Sequence, residues 1–200
     1  MDDETPPFFE DALRRAVERA EEKLERQVSV TVFTHLDERM MAKLETIDQE
    51  KFRQELWYTH DELVEKTRKK DFMCIILSVE GEPAAFIYGY DYEGDPTAYF
   101  LDEIATLVEG KGLGKILMTL ALIYCYELDY RSVMLYTEDT DQAGRHLREF
   151  YEHVGFKYVA TDPTLGVVMR YDLEEKALAA LYRRVMYAEG GPFPPYLKRV

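Results

Sequence analysis

Residues 113–128, LGKILMTLALIYCYEL, constrain this chain more than any other stretch. Between Lys115 and Glu127 no residue is charged, so a helix here is apolar on nearly every side and has to be largely buried. The mostly apolar part, 116–126, is far shorter than the roughly 20 residues that cross a bilayer. The rest of the chain must therefore cover it. A length of 200 residues with 46% apolar content is enough for one domain with a sizeable core.

The segments before this helix are β-rich. Residues 71–79, 84–92 and 97–107 are strand-like runs separated by the turns EGEP and EGDP, which implies an antiparallel meander. Residues 132–138 read as another strand, and the strand–helix–strand step from 97 to 138 implies a parallel pair with a right-handed crossover. Upstream, 28–34 alternates as a strand and 36–47 takes a helical period. Thr59 and Glu62 form a capping-box pattern ahead of Leu63 and Val64. Downstream, 141–154 reads as an amphipathic helix ended by Gly155, followed by the strands FKYVATD and GVVMRYDL. Two more helical signals flank this frame. Residues 10–27 carry Leu13, Val17, Ala20 and Leu24 at helical spacing, and 173–188 place Leu173, Ala177, Leu181 and Val185 on one face. The tail GGPFPPYLKRV cannot continue the last helix. The expected organisation is a helical extension over 1–27, a domain over 28–173, and a C-terminal helix with a Pro-rich tail over 174–200.

The formal net charge of −14 argues against a nonspecific nucleic-acid binder, which needs a basic surface, and suits a cationic partner such as an amine. Cys74 and Cys125 lie in apolar runs and read as buried free thiols, which fits a reducing cytoplasm. The acidic opening MDDETPPFFEDALRR lacks the basic-then-apolar order of a signal peptide. His35, His60, His146 and His153 show no metal-binding spacing, so no metal site is expected.

Gly110-Lys111-Gly112-Leu113-Gly114-Lys115 opens the apolar helix. A glycine turn at a helix start leaves several N–H groups unpaired and pointing one way, with the helix dipole adding positive potential, so the place suits a phosphate or diphosphate. A P-loop would need Ser or Thr after Lys115, where Ile116 stands, and an earlier glycine at the right spacing. The dinucleotide fingerprint G-x-G-x-x-G is also missed, because the turn is G-x-G-x-G and follows a meander. On these residues alone a plain glycine turn remains open.

A second pattern follows at Tyr151-Glu152-His153-Val154-Gly155-Phe156. A meander, then Glu109-Gly110-Lys111-Gly112-Leu113-Gly114 at a helix start, then strand, helix and Tyr-x-x-x-Gly-Phe, resembles the GNAT superfamily of acyl-CoA-dependent N-acyltransferases over about residues 28–173. The resemblance implies an α/β fold with a mixed, mostly antiparallel twisted sheet flanked by helices, here with extra N- and C-terminal helices. It implies direct transfer of an acetyl group from acetyl-CoA, as co-substrate, to a primary amine on a peptide, a lysine or a small cation. The diphosphate would lie on Gly110, Lys111, Gly112, Leu113, Gly114 and Lys115, with Gly144 nearby and the pantetheine arm along Ile104, Ala105, Thr106 and Leu107. Three features depart from the family pattern. Glu109 stands where the family has Gln or Arg, Gly144 stands where Asn is frequent, and the link from strand to glycine turn looks about two residues shorter.

By the same resemblance Tyr151 holds the position whose hydroxyl faces the CoA sulfur, as general acid. Glu103 is the candidate general base, with Glu138 as runner-up, and strict alternation would turn Asp102 to the opposite face. Trp57, Tyr58, Tyr88, Tyr90 and Tyr92 fall on segments that would line an acceptor groove. The partner expected is an amine acceptor, neither nucleic acid nor membrane, and the terminal helices could serve a homodimer. The competing reading is a non-catalytic acyl-CoA-binding or protein-interaction module on the same fold.

Overall fold

A computed structural model of the chain describes residues 5–140, 144 and 146–187. The elements in chain order are α1 (Phe9–Leu24), β1 (Val28–Phe33), α2 (Glu38–Lys51), α3 (His60–Thr67), β2 (Met73–Val79), β3 (Glu82–Asp91), β4 (Ala98–Thr106), α4 (Leu113–Glu127), β5 (Ser132–Thr137), α5 (Leu147–Val154), β6 (Lys157–Asp162), β7 (Gly166–Asp172) and α6 (Glu175–Met186). The strands form one seven-stranded sheet in the order β1-β2-β3-β4-β5-β7-β6. Every neighbouring pair is antiparallel except β4 and β5, the parallel pair expected around the apolar helix.

The central strands are apolar without interruption because both faces are covered. On β2, Met73, Ile75 and Leu77 enter the core built on α4, while Cys74 and Ile76 enter a second core under α2 and α3. The helix α4 is buried around its circumference: Ile116, Leu117, Met118, Leu120, Ala121, Leu122, Ile123 and Cys125 all have 0% exposure. α2 is capped by Asp37, whose side chain accepts from the Met40 N–H, and α3 opens with the Thr59–Glu62 capping box read from the sequence.

The terminal helices join the α4 core. Ala12, Ala16 and Ala20 are fully buried and let α1 approach α4 closely; of the expected stripe Leu13, Val17, Ala20 and Leu24, Ala20 is thus fully covered and the other three are partly covered. Helix α1 also clasps α6. Arg15 Nε donates to the Met186 carbonyl at 2.9 Å and Arg19 Nε to that of Val185 at 3.4 Å, so the orphan carbonyls at the end of α6 are satisfied by another helix. No helix among the described residues is long and apolar enough to cross a membrane.

The expected helix over 141–154 is shorter than anticipated. α5 begins at Leu147, after a bridge between Thr140 and His146, and Gly144 has φ +77°, which a right-handed helix cannot use. Residues 141–143 and 145 of that expected helix lie outside the described residues, as do 1–4 and 188–200.

Two backbone irregularities set up the site. The β4–β5 ladder contains only Ala98↔Ser132, Tyr99↔Val133 and Phe100↔Met134. Beyond it the strands part: β4 stays with β3 to Thr106, and β5 stays with β7 to Thr137. Their facing edges there carry backbone groups with no ladder partner, which is where an extended ligand can add as a strand. The second irregularity lies beside this gap. Tyr88 pairs with Glu103 and Gly89 with Leu101, so Asp102 is an extra residue, a β-bulge.

Candidate active site

The glycine turn sits at one end of the gap, beside Ile104 of β4. Gly112 is the N-cap of α4 with φ +75°, Gly110 has φ +72°, and no side chain caps the helix. Only glycine adopts these dihedrals readily, so the turn can hold its N–H groups outward at the positive end of the helix dipole. Ile104 reaches this corner from β4: a Cβ placed on Gly114 would lie 3.8 Å from Ile104 Cδ1 and 3.5 Å from Phe150. Gly144 is exposed, with open space around it. The Leu107 N–H donates to the Ala84 carbonyl at 2.8 Å. By alternation, the main-chain groups of Ile104 and Thr106 turn to the gap and those of Ala105 turn to β3.

Charge at the turn is arranged by residues outside the glycine motif. Glu109 is directed at Lys51, 3.0 Å away at the end of α2. Lys23, from the last turn of α1, lies 3.6 Å from where a Gly112 Cβ would stand. Its ammonium is held below the usual lysine pKa, by burial first and then by repulsion from Arg19, Lys115 and Lys111. Three lysines from two helices and the turn therefore converge on one corner of a chain whose net charge is −14.

Tyr151 comes from α5 on the same side of the sheet. Its ring packs edge-on against Phe150 at 5.1 Å and Phe156 at 5.9 Å. The hydroxyl meets the side chain of Thr137, the last residue of β5, which places it beside the open edge. Burial pushes the phenol up to about 12, so it stays protonated at neutral pH. Cys125 and Cys74 are free, fully buried, and both raised by burial, so neither is a nucleophile.

The opposite face of the gap is acidic, and here the bulge overturns an expectation. Asp102 does not point away from Glu103. The extra residue resets the alternation, and both carboxyls enter the layer under α2 and α3. Asp102 accepts from Tyr58 Oη at 3.0 Å and Tyr90 Oη at 2.8 Å and is paired with Lys66, whose ammonium also lies 3.9 Å over the Tyr58 ring. Glu103 accepts from Tyr88 Oη at 2.7 Å, and its carboxyl adjoins that of Asp48 from α2. Both carboxyls of the pair are held above the usual carboxylate range, by burial first and by each other's charge at Glu103. Of the other aromatics, Tyr92 Oη bonds Tyr136 Oη at 2.9 Å and Trp57 Nε1 donates to the Phe52 carbonyl at 2.8 Å. Glu138 is paired with Arg53 across the mouth of the gap.

The family profile described as "Acetyltransferase (GNAT) family" matches residues 37–156, from the N-cap of α2 through Phe156. The chain belongs to the acetyltransferase (GNAT) family. Solved structures agree on the fold. The ribosomal-protein-S18-alanine N-acetyltransferase from Escherichia coli superposes with a TM-score of 0.58 at 16% identity, over 82% of this chain and 99% of that one. An aminoglycoside 6'-acetyltransferase type Ii gives 0.62 at 19% identity, over 72% and 96%. The PaiA N-acetyltransferase from Thermoplasma acidophilum, solved in complex with coenzyme A, gives 0.58 at 14% identity, over 72% and 99%. No curated protein matches the chain in sequence.

Within this GNAT fold the residues that sequence reading missed are Asp48, Lys66, Lys51 and Lys23. Asp48 had a readable signal: it shares the inward face of α2 with Met41, Leu44 and Ile47, where a carboxyl needs a reason. Lys23 had none, because only the docking of α1 on α4 brings it to the turn.

The raised carboxyl pair makes a stability prediction. The folded GNAT protein keeps a proton that the unfolded chain gives up in the ordinary carboxylate range. Stability therefore falls as pH climbs from that range towards the folded value. Glu103→Gln removes the penalty, so its thermal midpoint should gain on that of the wild type as pH rises from about 5 to about 8. Parallel curves in thermal unfolding across that range would show that the pair does not titrate with folding.

Proposed function

We propose that this enzyme is an N-acetyltransferase that moves an acetyl group from acetyl-CoA directly to a primary amine. One observation carries the reading. The gap between β4 and β5 has an anion-attracting glycine turn at one end, a protonated phenol at the β5 edge, and a buried carboxyl on the opposite face. The donor set suits acyl-CoA: the turn has φ-positive glycines, an uncapped helix start and three converging lysines. Glu109 does not oppose it, because Lys51 offsets that carboxylate.

In this reading the N–H groups of the turn from Gly110 through Lys115, with the Lys111 and Lys115 side chains, hold the diphosphate, and Gly144 leaves room beside it. The β4 edge from Ile104 through Leu107 carries the pantetheine arm, with Ile104 and Thr106 offering their main-chain groups. A backbone N–H of that edge polarises the thioester carbonyl. Glu103 accepts a proton from the acceptor ammonium, the nitrogen attacks the carbonyl carbon, and the departing sulfur takes the Tyr151 proton while the new amide nitrogen sheds its second proton to solvent, from which Tyr151 is reprotonated. No acyl-enzyme forms. A cytoplasmic setting suits the free thiols.

Calorimetry with CoA, followed by thiol release from acetyl-CoA with a panel of alkyl, peptide and aminoglycoside amines, tests the proposal. CoA binding with turnover on at least one amine is expected. Binding without turnover on any amine would favour a sensing module, and absence of CoA binding would defeat both readings. Lys23→Gln should weaken CoA binding roughly threefold and flatten its salt dependence, the size typical of a partly exposed charge pair. Unchanged affinity at low salt would remove Lys23 from the phosphate corner.

A further inference from the structure

The Asp48–Glu103 pair is over-supplied with acceptors. Asp48 is 6% exposed, and neither Asp48 Oδ1 nor Glu103 Oε1 meets an N–H or O–H of the described residues, although both atoms are buried. Two adjoining carboxyl oxygens repel unless a proton or a cationic donor lies between them. Lys66, which shares this layer, is committed to Asp102. The remaining groups facing the pair add no positive charge. Glu45 on α2 is tied to His60, Asp102 is acidic, and Tyr58, Tyr88 and Cys74 are held protonated by burial.

The pair opens on a cleft walled by Leu44, Tyr58, Leu63 and Phe86, with a cavity volume of about 10 Å³. That is the space of a single water-sized group, and an –NH₃⁺ head has that size. The ammonium head alone fills this space, so the attached methylenes would lie outside it on the open side of the cleft. Glu103 also lies on the part of β4 that has already left β5, beside the gap.

We propose that Asp48 and Glu103 form an ammonium subsite, in which a primary alkylammonium acceptor donates N–H groups to Asp48 Oδ1 and Glu103 Oε1. The inference rests on the acetyltransfer reading for its second half only. In the empty site one proton bridges the two carboxyls. The entering ammonium displaces that proton to solvent and restores charge balance. Glu103 then takes one proton from the ammonium, leaving a neutral amine whose lone pair forms the C–N bond as the C–S bond breaks and the sulfur takes the Tyr151 proton; the second proton, shed by the nitrogen as it becomes an amide, goes to solvent, and solvent returns one to the Tyr151 phenolate. Asp48 is a specificity residue that keeps the carboxyl pair anionic only when a cation is present. Quaternary ammonium groups, which are larger and have no N–H, are excluded.

Carboxyl ¹³C NMR of protein labelled at Asp and Glu tests this without turnover, the Glu103 signal being assigned by its loss in Glu103→Gln. Ethylammonium chloride should move the Asp48 and Glu103 signals saturably, and tetramethylammonium chloride at equal ionic strength should not. Asp48→Asn, which keeps the side-chain shape, should weaken the ethylammonium response at least about tenfold while leaving CoA affinity unchanged. Equal responses to the two salts, or no response to either, would mean that the pair merely holds a structural proton, and the comparison of salts on the wild type needs no variant. Saturation by ethylammonium with no CoA binding would retain the cation site and defeat the acetyltransferase reading. CoA binding with silent carboxyls would do the reverse.

Discussion

Replacing Tyr151 by Phe should lower kcat by about 10²-fold or more while CoA affinity and thermal stability stay close to wild type. The expectation separates the ring from its hydroxyl. The ring is held by Phe150, Phe156 and the α5 packing, all of which Phe retains. The hydroxyl meets Thr137 at the end of β5, a residue whose own hydroxyl also donates to the Glu138 carbonyl, so its loss leaves little unpaired among the described residues. A phenol pushed up to about 12 is fully protonated across the working range, so it can act as the acid but cannot shape the pH profile near neutrality. In the wild type kcat should instead follow the carboxyl pair and the amine, rising with pH as a base becomes available. In the variant the same limb should persist at a lower plateau. Thiol-release kinetics from pH 6 to about pH 9 measure this. A kcat that survives the substitution at every pH would assign proton delivery to water and leave Tyr151 as packing.

The legible parts of the molecule were those written in short-range pattern. The meander, the apolar α4, the Gly110–Lys115 turn and the Tyr151–Phe156 motif each rest on local spacing, and their order fixes the parallel β4–β5 step. What stayed hidden depends on a single backbone insertion or on distant segments meeting. Strict alternation sent Asp102 away from Glu103, because nothing in YFLDEIAT announces an extra residue. Asp48 is 55 positions before Glu103 in sequence, and only the docking of α2 on β4 joins their carboxyls. The same holds for Lys23 at the turn and for Arg15 at the end of α6. Of the α1 stripe Leu13, Val17, Ala20 and Leu24, the small Ala20 is fully buried with Ala12 and Ala16, as close helix packing favours, and the larger three are only partly buried.

The bulge that sets the acidic face depends on one small residue, and Gly89→Ala should cost about 3 kcal/mol of stability. A Cβ on Gly89 would stand 2.3 Å from the Phe100 carbonyl oxygen, 2.7 Å from Tyr99 Cε1 and 3.1 Å from the Leu101 Cα. Two of these are main-chain atoms of β4, which no rotamer change can move aside. The strain is steric rather than conformational, and its relief requires β4 to draw back from β3 at the point where Asp102 is inserted. That displacement would carry Glu103 away from Tyr88 and Asp48, and Asp102 away from Tyr58 and Tyr90. The N–H groups of the glycine turn, which lies outside β4, would keep their arrangement, while the adjoining Ile104 edge would move with Glu103. The variant that still folds should therefore lose more activity than CoA affinity, and more than its unfolded fraction explains. Urea unfolding and calorimetry, read with thiol-release kinetics, separate the two effects. Wild-type stability would show that β4 can shift freely, and the acidic layer would then owe its arrangement to α2 and α3 rather than to the bulge.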